Sequence, residues 1–182
     1  MAGAGTDKAG DDATMTVLET ERLRLREMRE DDAPFILELV NDPDWIANIG
    51  DRGIRTPEEA RAYVRNGPAA MYARHGFGLW LVEVKETGEP AGMCGLIKRD
   101  TLDDVDIGYA FLPAFRGRGY AREAAAATLR HGREALGMGR IVAIVSPGNA
   151  DSIRLLEALG FRSEGMIKMK PDDTGTCLYA NP

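Results

Sequence analysis

The stretch "FLPAFRGRGYAREAAAATLRHG", residues 111–132, sets the frame for the whole chain. It starts apolar, closes at Pro113, passes through two arginines and two glycines, and continues as an alanine-rich run. Glycine is a weak helix former and neighbouring like charges repel, so a join of this composition needs a compensating gain. A strand that feeds a glycine-containing turn and then opens a helix leaves several backbone N–H groups without intrahelical partners. The helix dipole adds roughly half a positive charge at the same end. Glycine also lets the main chain approach a ligand with no Cβ in the way. These features predict an anion site over Arg116, Gly117, Arg118, Gly119, Tyr120 and Ala121, with Arg116, Arg118 and Arg122 adding full charges. The competing reading is a plain turn whose arginines are solvated.

Two common phosphate loops do not fit. A mononucleotide P-loop needs Lys-Ser/Thr after its last glycine, where this chain has Tyr120-Ala121. A dinucleotide fingerprint needs a third glycine or alanine where Arg122 stands, and no acidic residue ends the next apolar run, "RIVAIVS".

Outward from this join, the pattern predicts one mixed α/β domain over residues 14–182. "TVLETERLRLREM" alternates as a half-buried strand, with Leu23 and Leu25 on one face and Arg22, Arg24 and Arg26 on the other. "REDDAPFILELVND", with Asp31 or Asp32 at its start, and "TPEEARAYVRNG" read as helices; "DPDWIANIGDRGIR" reads as a loop or broken helix, and "PAAMYARHG" as a resumption. "GFGLWLVEVKETGEPAGMCGLIKRD" is a hairpin turned at Thr87-Gly88, and "DDVDIGYAFLP" a third strand. The alanine-rich helix runs from about 119 to 136 with Ala121, Ala124, Ala125, Leu129, Gly132 and Leu136 on one stripe. "RIVAIVS" is a strand covered on both faces, and "NADSIRLLEALGF" a helix capped by Asn149 and closed at Gly160, with Phe161 folding back. "FRSEGMIKM" and "TCLYA" supply the last strands. The small, charged start, residues 1–13, reads as a disordered leader.

Composition narrows the function classes. The 182 residues hold 23 Lys+Arg against 29 Asp+Glu, a formal charge of −6, which argues against nucleic acid as a partner. No apolar run approaches a membrane span, so neither a membrane partner nor a membrane location is expected, and the chain reads as cytoplasmic. A homodimer is compatible with the sequence. Cys94 and Cys177 lie in apolar runs and read as reduced thiols. No metal-ligand spacing joins them to the two histidines, His75 and His131.

"RGRGYA" resembles the Arg/Gln-x-x-Gly-x-Gly/Ala pyrophosphate loop of the GNAT superfamily of acyl-CoA-dependent N-acetyltransferases. "DIGYAFLPAFRGRGYAREA", "NADSIRLLEALGF" and "LETERLRLREM" resemble, in order and spacing, the branch that includes the ribosomal-protein N-terminal acetyltransferases. The resemblance covers about residues 17–180. It implies a mostly antiparallel, curved central sheet flanked by helices, and acetyl-CoA as cosubstrate with its pyrophosphate on the main-chain N–H groups of Arg116 to Ala121. It implies that the strand ending at Phe111-Leu112 pairs its backbone with the pantetheine amides. It also gives the Asn149 amide to the pantetheine and makes the Phe111 N–H the oxyanion donor.

Direct acetyl transfer to a primary amine needs positioning, an oxyanion donor and proton traffic. Asp106 is the candidate base, because it shares a strand face with the small residues Gly108 and Ala110, which leave room for a ligand. The alternative is a solvated strand aspartate, the proton leaving through water. Ser152 is the candidate acid: Leu155 and Leu156 stand where the family more widely has a tyrosine, which leaves Ser152 as the nearest hydroxyl on that helix. A first-turn serine can equally serve its own backbone, and Asn149 can equally be a plain N-cap. His75 reads as a surface residue. Trp45, Tyr63 and Trp80 are either core or the lining of an acceptor pocket. The acceptor is a small-molecule amine or a protein N-terminus, and a noncatalytic acyl-CoA sensor on the same fold is the alternative from another class.

Overall fold

The computed structural model describes residues 15–182; the expected leader, residues 1–13, lies outside them. "TVLETERLRLREM" is not one strand but two, β1 (Thr16–Glu19) and β2 (Leu23–Arg26), paired antiparallel. A turn breaks it: the Thr20 N–H donates to the Leu23 carbonyl at 2.9 Å, and Thr20 Oγ1 accepts the Leu23 N–H at 3.0 Å. Leu23 and Leu25 are buried as the alternation predicts. Arg26, expected outward, is buried between Asp32 and Glu83 at 2.8 and 2.6 Å.

Four helices follow: α1 (Ala33–Val40) and α3 (Pro57–Asn66) as expected, α2 (Pro43–Asn48) in the segment read as a loop or broken helix, and α4 (Pro68–His75) as the expected resumption. Each has proline in its first turn, where the missing N–H costs nothing. Thr56 and Glu59 cap α3 reciprocally. Asp32 stands at the N-cap of α1 but makes no side-chain cap bond there, because its carboxylate grips Arg26 instead.

β3 (Leu79–Val84) and β4 (Pro90–Ile97) form the predicted hairpin, with Gly88 left-handed at φ 72° in its turn. β5 (Val105–Phe111), α5 (Tyr120–Glu134), β6 (Ile141–Val145), α6 (Ala150–Ala158), β7 (Arg162–Ile167) and β8 (Thr176–Asn181) complete the chain. The strands lie in the order β1-β2-β3-β4-β5-β6-β8-β7, and among the described strands only β5 and β6 run parallel. This is the predicted mixed α/β fold with a mostly antiparallel sheet flanked by helices.

Strand alternation splits the core between the sheet's two faces. Trp80, Val82, Cys94 and Ile107 pack under Ala124, Ala125 and Leu129 of α5. Leu81 and Met93 pack against Ile36, Leu39, Ala60 and Val64 of α1 and α3. Small residues let α5 sit close: a Cβ on Gly132 would fall 3.0 Å from Ile141 Cδ1. Cys94 and Cys177 are both free, and burial pushes the Cys94 thiol up to about 12. Among the described residues no helix is long and apolar enough to cross a membrane.

β4 admits no side chain at Gly95, where a Cβ would lie 2.0 Å from the Gly78 carbonyl oxygen and 2.8 Å from Leu79 Cα. Both obstacles are backbone and cannot swing away. Gly95→Ala is expected to destabilise the fold by about 1–3 kcal/mol, read as a lower urea midpoint. A midpoint equal to wild type would contradict the close β3–β4 approach.

Candidate active site

The parallel pairing of β5 with β6 covers only Val105 with Ile141 and Asp106 with Val142. β5 nevertheless runs on to Phe111 and β6 to Val145, so past that point the strands part. The Leu112 N–H donates to the Ala91 carbonyl at 2.9 Å, on the β4 side. Because successive strand residues present their main-chain groups to opposite edges, those of Tyr109 and Phe111 face the gap. The Phe111 carbonyl accepts from Arg116 Nε at 3.0 Å, which leaves its N–H toward the gap. Leu112, expected to share in ligand pairing, turns the other way: its N–H is on Ala91 and its carbonyl accepts the Phe115 N–H at 3.0 Å. The gap belongs to a cleft of about 1450 Å³.

Gly117 and Gly119 are left-handed, φ 71° and 79°, as a tight approach into a helix requires. Gly119 is the N-cap of α5, and the first intrahelical bond is Glu123 N–H to the Gly119 carbonyl at 3.0 Å. The N–H groups of Tyr120, Ala121 and Arg122 therefore have no partner within the helix. All three residues line the cleft.

The arginines divide differently from the expectation. Arg116 does not offer its charge to an anion: its guanidinium binds Asp42 at 2.6 Å and also Asp44, besides the Phe111 carbonyl. Those carboxylates sit at the start of α2, so Arg116 ties the loop to that helix. Arg118 lies beside the Phe115 ring, 5.9 Å to the centroid, and Arg122 is exposed at the cleft. Arg22, read only as outward-facing, is the latch. It binds Glu123 of α5 through Nε at 2.7 Å, donates to the Arg118 carbonyl at 2.9 Å, and stacks over Tyr120.

Asp106 is no solvated aspartate: it is 1% exposed and accepts from Arg99 Nε at 2.9 Å. Burial raises its pKa above the ordinary carboxylate value, with the Arg99 charge and hydrogen bond working against the rise. Ser152 Oγ lies 2.8 Å from the Tyr109 hydroxyl, so a hydroxyl pair bridges β5 and α6. Burial pushes Tyr109 up to about 12, and its bond to Ser152 acts against that. Tyr109 packs on the α5 face of the sheet, and its reach to α6 is set by tertiary packing. Asn149 is an N-cap, its side chain accepting the Ser152 N–H at 3.2 Å; its amide NH₂ makes no hydrogen bond among the described residues.

α2 joins both sides of the gap: Asp42 and Asp44 hold Arg116 after β5, and the Asn48 carbonyl accepts from Ser146 Oγ, just past β6, at 2.8 Å. Trp45 and Tyr63 line the cleft, whereas Trp80 is core beneath α5. His75 is exposed at the end of α4, stacked on Phe77.

A splayed parallel pair thus stands beside a left-handed glycine loop, and unspent main-chain N–H groups line the cleft from both. The family model described as "Acetyltransferase (GNAT) domain" matches residues 22–162, and the chain belongs to that acyl-transferase family. It is 35% identical to the Bacillus subtilis (strain 168) protein YkkB over 84% of this chain and 89% of the other. It is 32% identical to the Bacillus licheniformis N-acetyltransferase p20, over 85% and 86%. The fold is shared with a ribosomal L7/L12 alpha-N-protein acetyltransferase solved in complex with coenzyme A, TM-score 0.78 at 20% identity, covering 92% and 97%.

The Arg22 latch fixes where the helix N–H groups point. Arg22→Ala is expected to weaken coenzyme A binding about fivefold to tenfold by calorimetry, with a melting temperature close to wild type because the residue is half exposed. Unchanged affinity would remove Arg22 from the site's construction.

Proposed function

We propose that the protein moves an acetyl group from acetyl-CoA directly to a primary amine. The observation that carries this is the pair of left-handed glycines delivering unpartnered α5 N–H groups beside the parted edges of β5 and β6. The N–H groups of Gly117 to Ala121 suit a pyrophosphate, that of Arg116, expected among them, being spent on the Pro113 carbonyl at 3.2 Å, and the free Phe111 N–H suits a chain of amides added as a short strand. The Asn149 amide NH₂ is a further donor on the β6 side. Coenzyme A supplies the acyl group as a thioester, whose carbon accepts the amine and whose sulfur leaves with the bonding electrons.

The chain's own residues then handle position and protons. The Phe111 N–H, expected as the oxyanion donor, is spent on the amide chain, so the Tyr109 N–H, the next gap-facing donor toward Asp106, donates to the thioester carbonyl oxygen. Asp106, with its raised pKa, takes a proton from the acceptor's ammonium, which frees the nitrogen lone pair. The Tyr109–Ser152 pair holds a proton at Ser152 Oγ for the departing sulfur. The C–S bond breaks as the C–N bond forms, and the products are an amide, a free thiol and one released proton. Leu155 and Leu156 line the cleft without a hydroxyl, which leaves Tyr109 and Ser152 as the local proton source. If the same site served as an acyl-CoA sensor, it would bind acetyl-CoA tightly and turn over no amine.

Gly119→Glu places a carboxylate and a strained left-handed residue at the anion site, and is expected to abolish acetyl-CoA binding by calorimetry in a protein that remains folded by circular dichroism. Retained wild-type affinity would overturn the loop assignment. The Asp106 proposal carries a pH signature. A raised pKa means the carboxyl is protonated, and idle as a base, below a value higher than that of an ordinary aspartate. The wild-type rate is expected to fall on the acid side through that group, while Asp106→Asn loses this limb and slows by about 10²–10⁴-fold. Full activity in Asp106→Asn would exclude the base role.

A further inference from the structure

Arg99 reaches Asp106 with Nε alone, and its two terminal nitrogens have no partner among the described residues. Arg52, exposed on the segment after α2, has no partner among them either. Elsewhere most arginines are engaged: Arg22, Arg26, Arg55, Arg116 and Arg140 all hold carboxylates. Arg52 and Arg99 line one cleft together with Tyr63. Both guanidiniums lie near enough to the Tyr63 phenol to pull its pKa down against the rise that burial causes. The Tyr63 hydroxyl also has no hydrogen-bond partner among the described residues.

The Arg52 guanidinium, the two terminal nitrogens of Arg99 and the Tyr63 phenol O–H line one cleft and find no acceptor among the described residues, in a chain of net charge −6. The cleft's other carboxylates do not answer these donors: Asp42 and Asp44 are held by Arg116, and Asp173 by the N–H groups of Met169 and Gly175. Asp151 is held by Arg154, and Asp172 sits exposed on the β7–β8 loop. A planar guanidinium fork matches a carboxylate bidentately, whereas a single ammonium does not. Asp106, bonded to the same Arg99, supplies a negative group on the other side of that side chain.

We propose that the acceptor is a small primary amine carrying its own carboxylate, of the amino-acid type. Arg99, Arg52 and Tyr63 hold the carboxylate while the amino group lies toward Asp106. This rests on the acetyl-transfer reading above and names the substrate class it takes. The arginines then select the substrate and set its orientation; the proton chemistry stays with Asp106.

The test uses matched acceptors: amino acids, their carboxamides, and the corresponding amines lacking the carboxyl group. Thiol release from acetyl-CoA is expected to show a KM about tenfold or more lower for the acid than for either analogue, with kcat changing less. Arg52→Gln is expected to narrow that gap to under about threefold, and Arg52→Lys to restore part of it. Thermal melting checks that each variant is folded. Equal KM values across a matched set, or a gap untouched by Arg52→Gln, overturn the inference while leaving acetyl transfer standing. Should no amine be turned over, calorimetry on the coenzyme A-loaded protein decides separately. Binding of the acid but not its carboxamide, lost in Arg52→Gln, supports the anion site; equal or absent binding overturns it.

Discussion

The parallel pairing between β5 and β6 stops after Asp106 and Val142, and the rest of the site follows from that stop. Had the ladder continued to Phe111 and Val145, the main-chain groups of Tyr109 and Phe111 would be consumed within the sheet. Because the ladder ends, two strand edges stand open inside the fold, where exposed edges ordinarily invite association. Gly108 and Ala110 leave the β5 side of the gap low. On one face of the sheet α5 packs over β4 and β5 and α6 starts beside β6, both feeding the same core cluster.

Holding such a gap at fixed width requires ties across it. Arg116 and the α2 carboxylates form one, Ser146 and the Asn48 carbonyl a second, and the Tyr109–Ser152 hydroxyl pair a third. Arg22 adds a tie between the β1–β2 turn and the start of α5. None of these residues adds net charge to the ligand site, since Arg116 and Arg22 are both neutralised by carboxylates. In the proposed reading, attraction for an anion falls to the helix terminus and to Arg118 and Arg122, while the tied arginines give that terminus its aim. Arg99 and Arg52 stand apart from this group, because neither spends its full donor set inside the protein.

Much of this was legible in the residues. The glycine loop, the two capped helices, the β3–β4 hairpin and the face assignment of β5 all follow from local pattern, since each is decided by φ sign, capping or alternation. The acidic "NDPDW" segment and Arg116 were each visible, but their pairing joins residues more than seventy positions apart, and periodicity carries no such information. Alternation puts Arg22 outward, and what lies outward is the start of α5. The break between β1 and β2 was hidden because the Thr20 turn interrupts a run whose alternation looks continuous. Asp106 shows the same limit: its face was readable, its burial was not, because burial depends on how α3 and the loops cover that face.

The open β5 edge has a consequence for how this architecture diverges. A ligand gripped through peptide groups places little demand on side-chain identity, so drift along the strand and loop is tolerated wherever the backbone path survives. The few fixed points are positions that only glycine occupies comfortably, Gly117 and Gly119. Under the proposed acceptor reading, selection on the acceptor falls instead on side chains from α3, the segment after α2 and the β4–β5 connection. One half of the cleft is thus conservative by construction and the other free to explore new chemistry, so a lineage can exchange acceptors without rebuilding the machinery that delivers the acyl group.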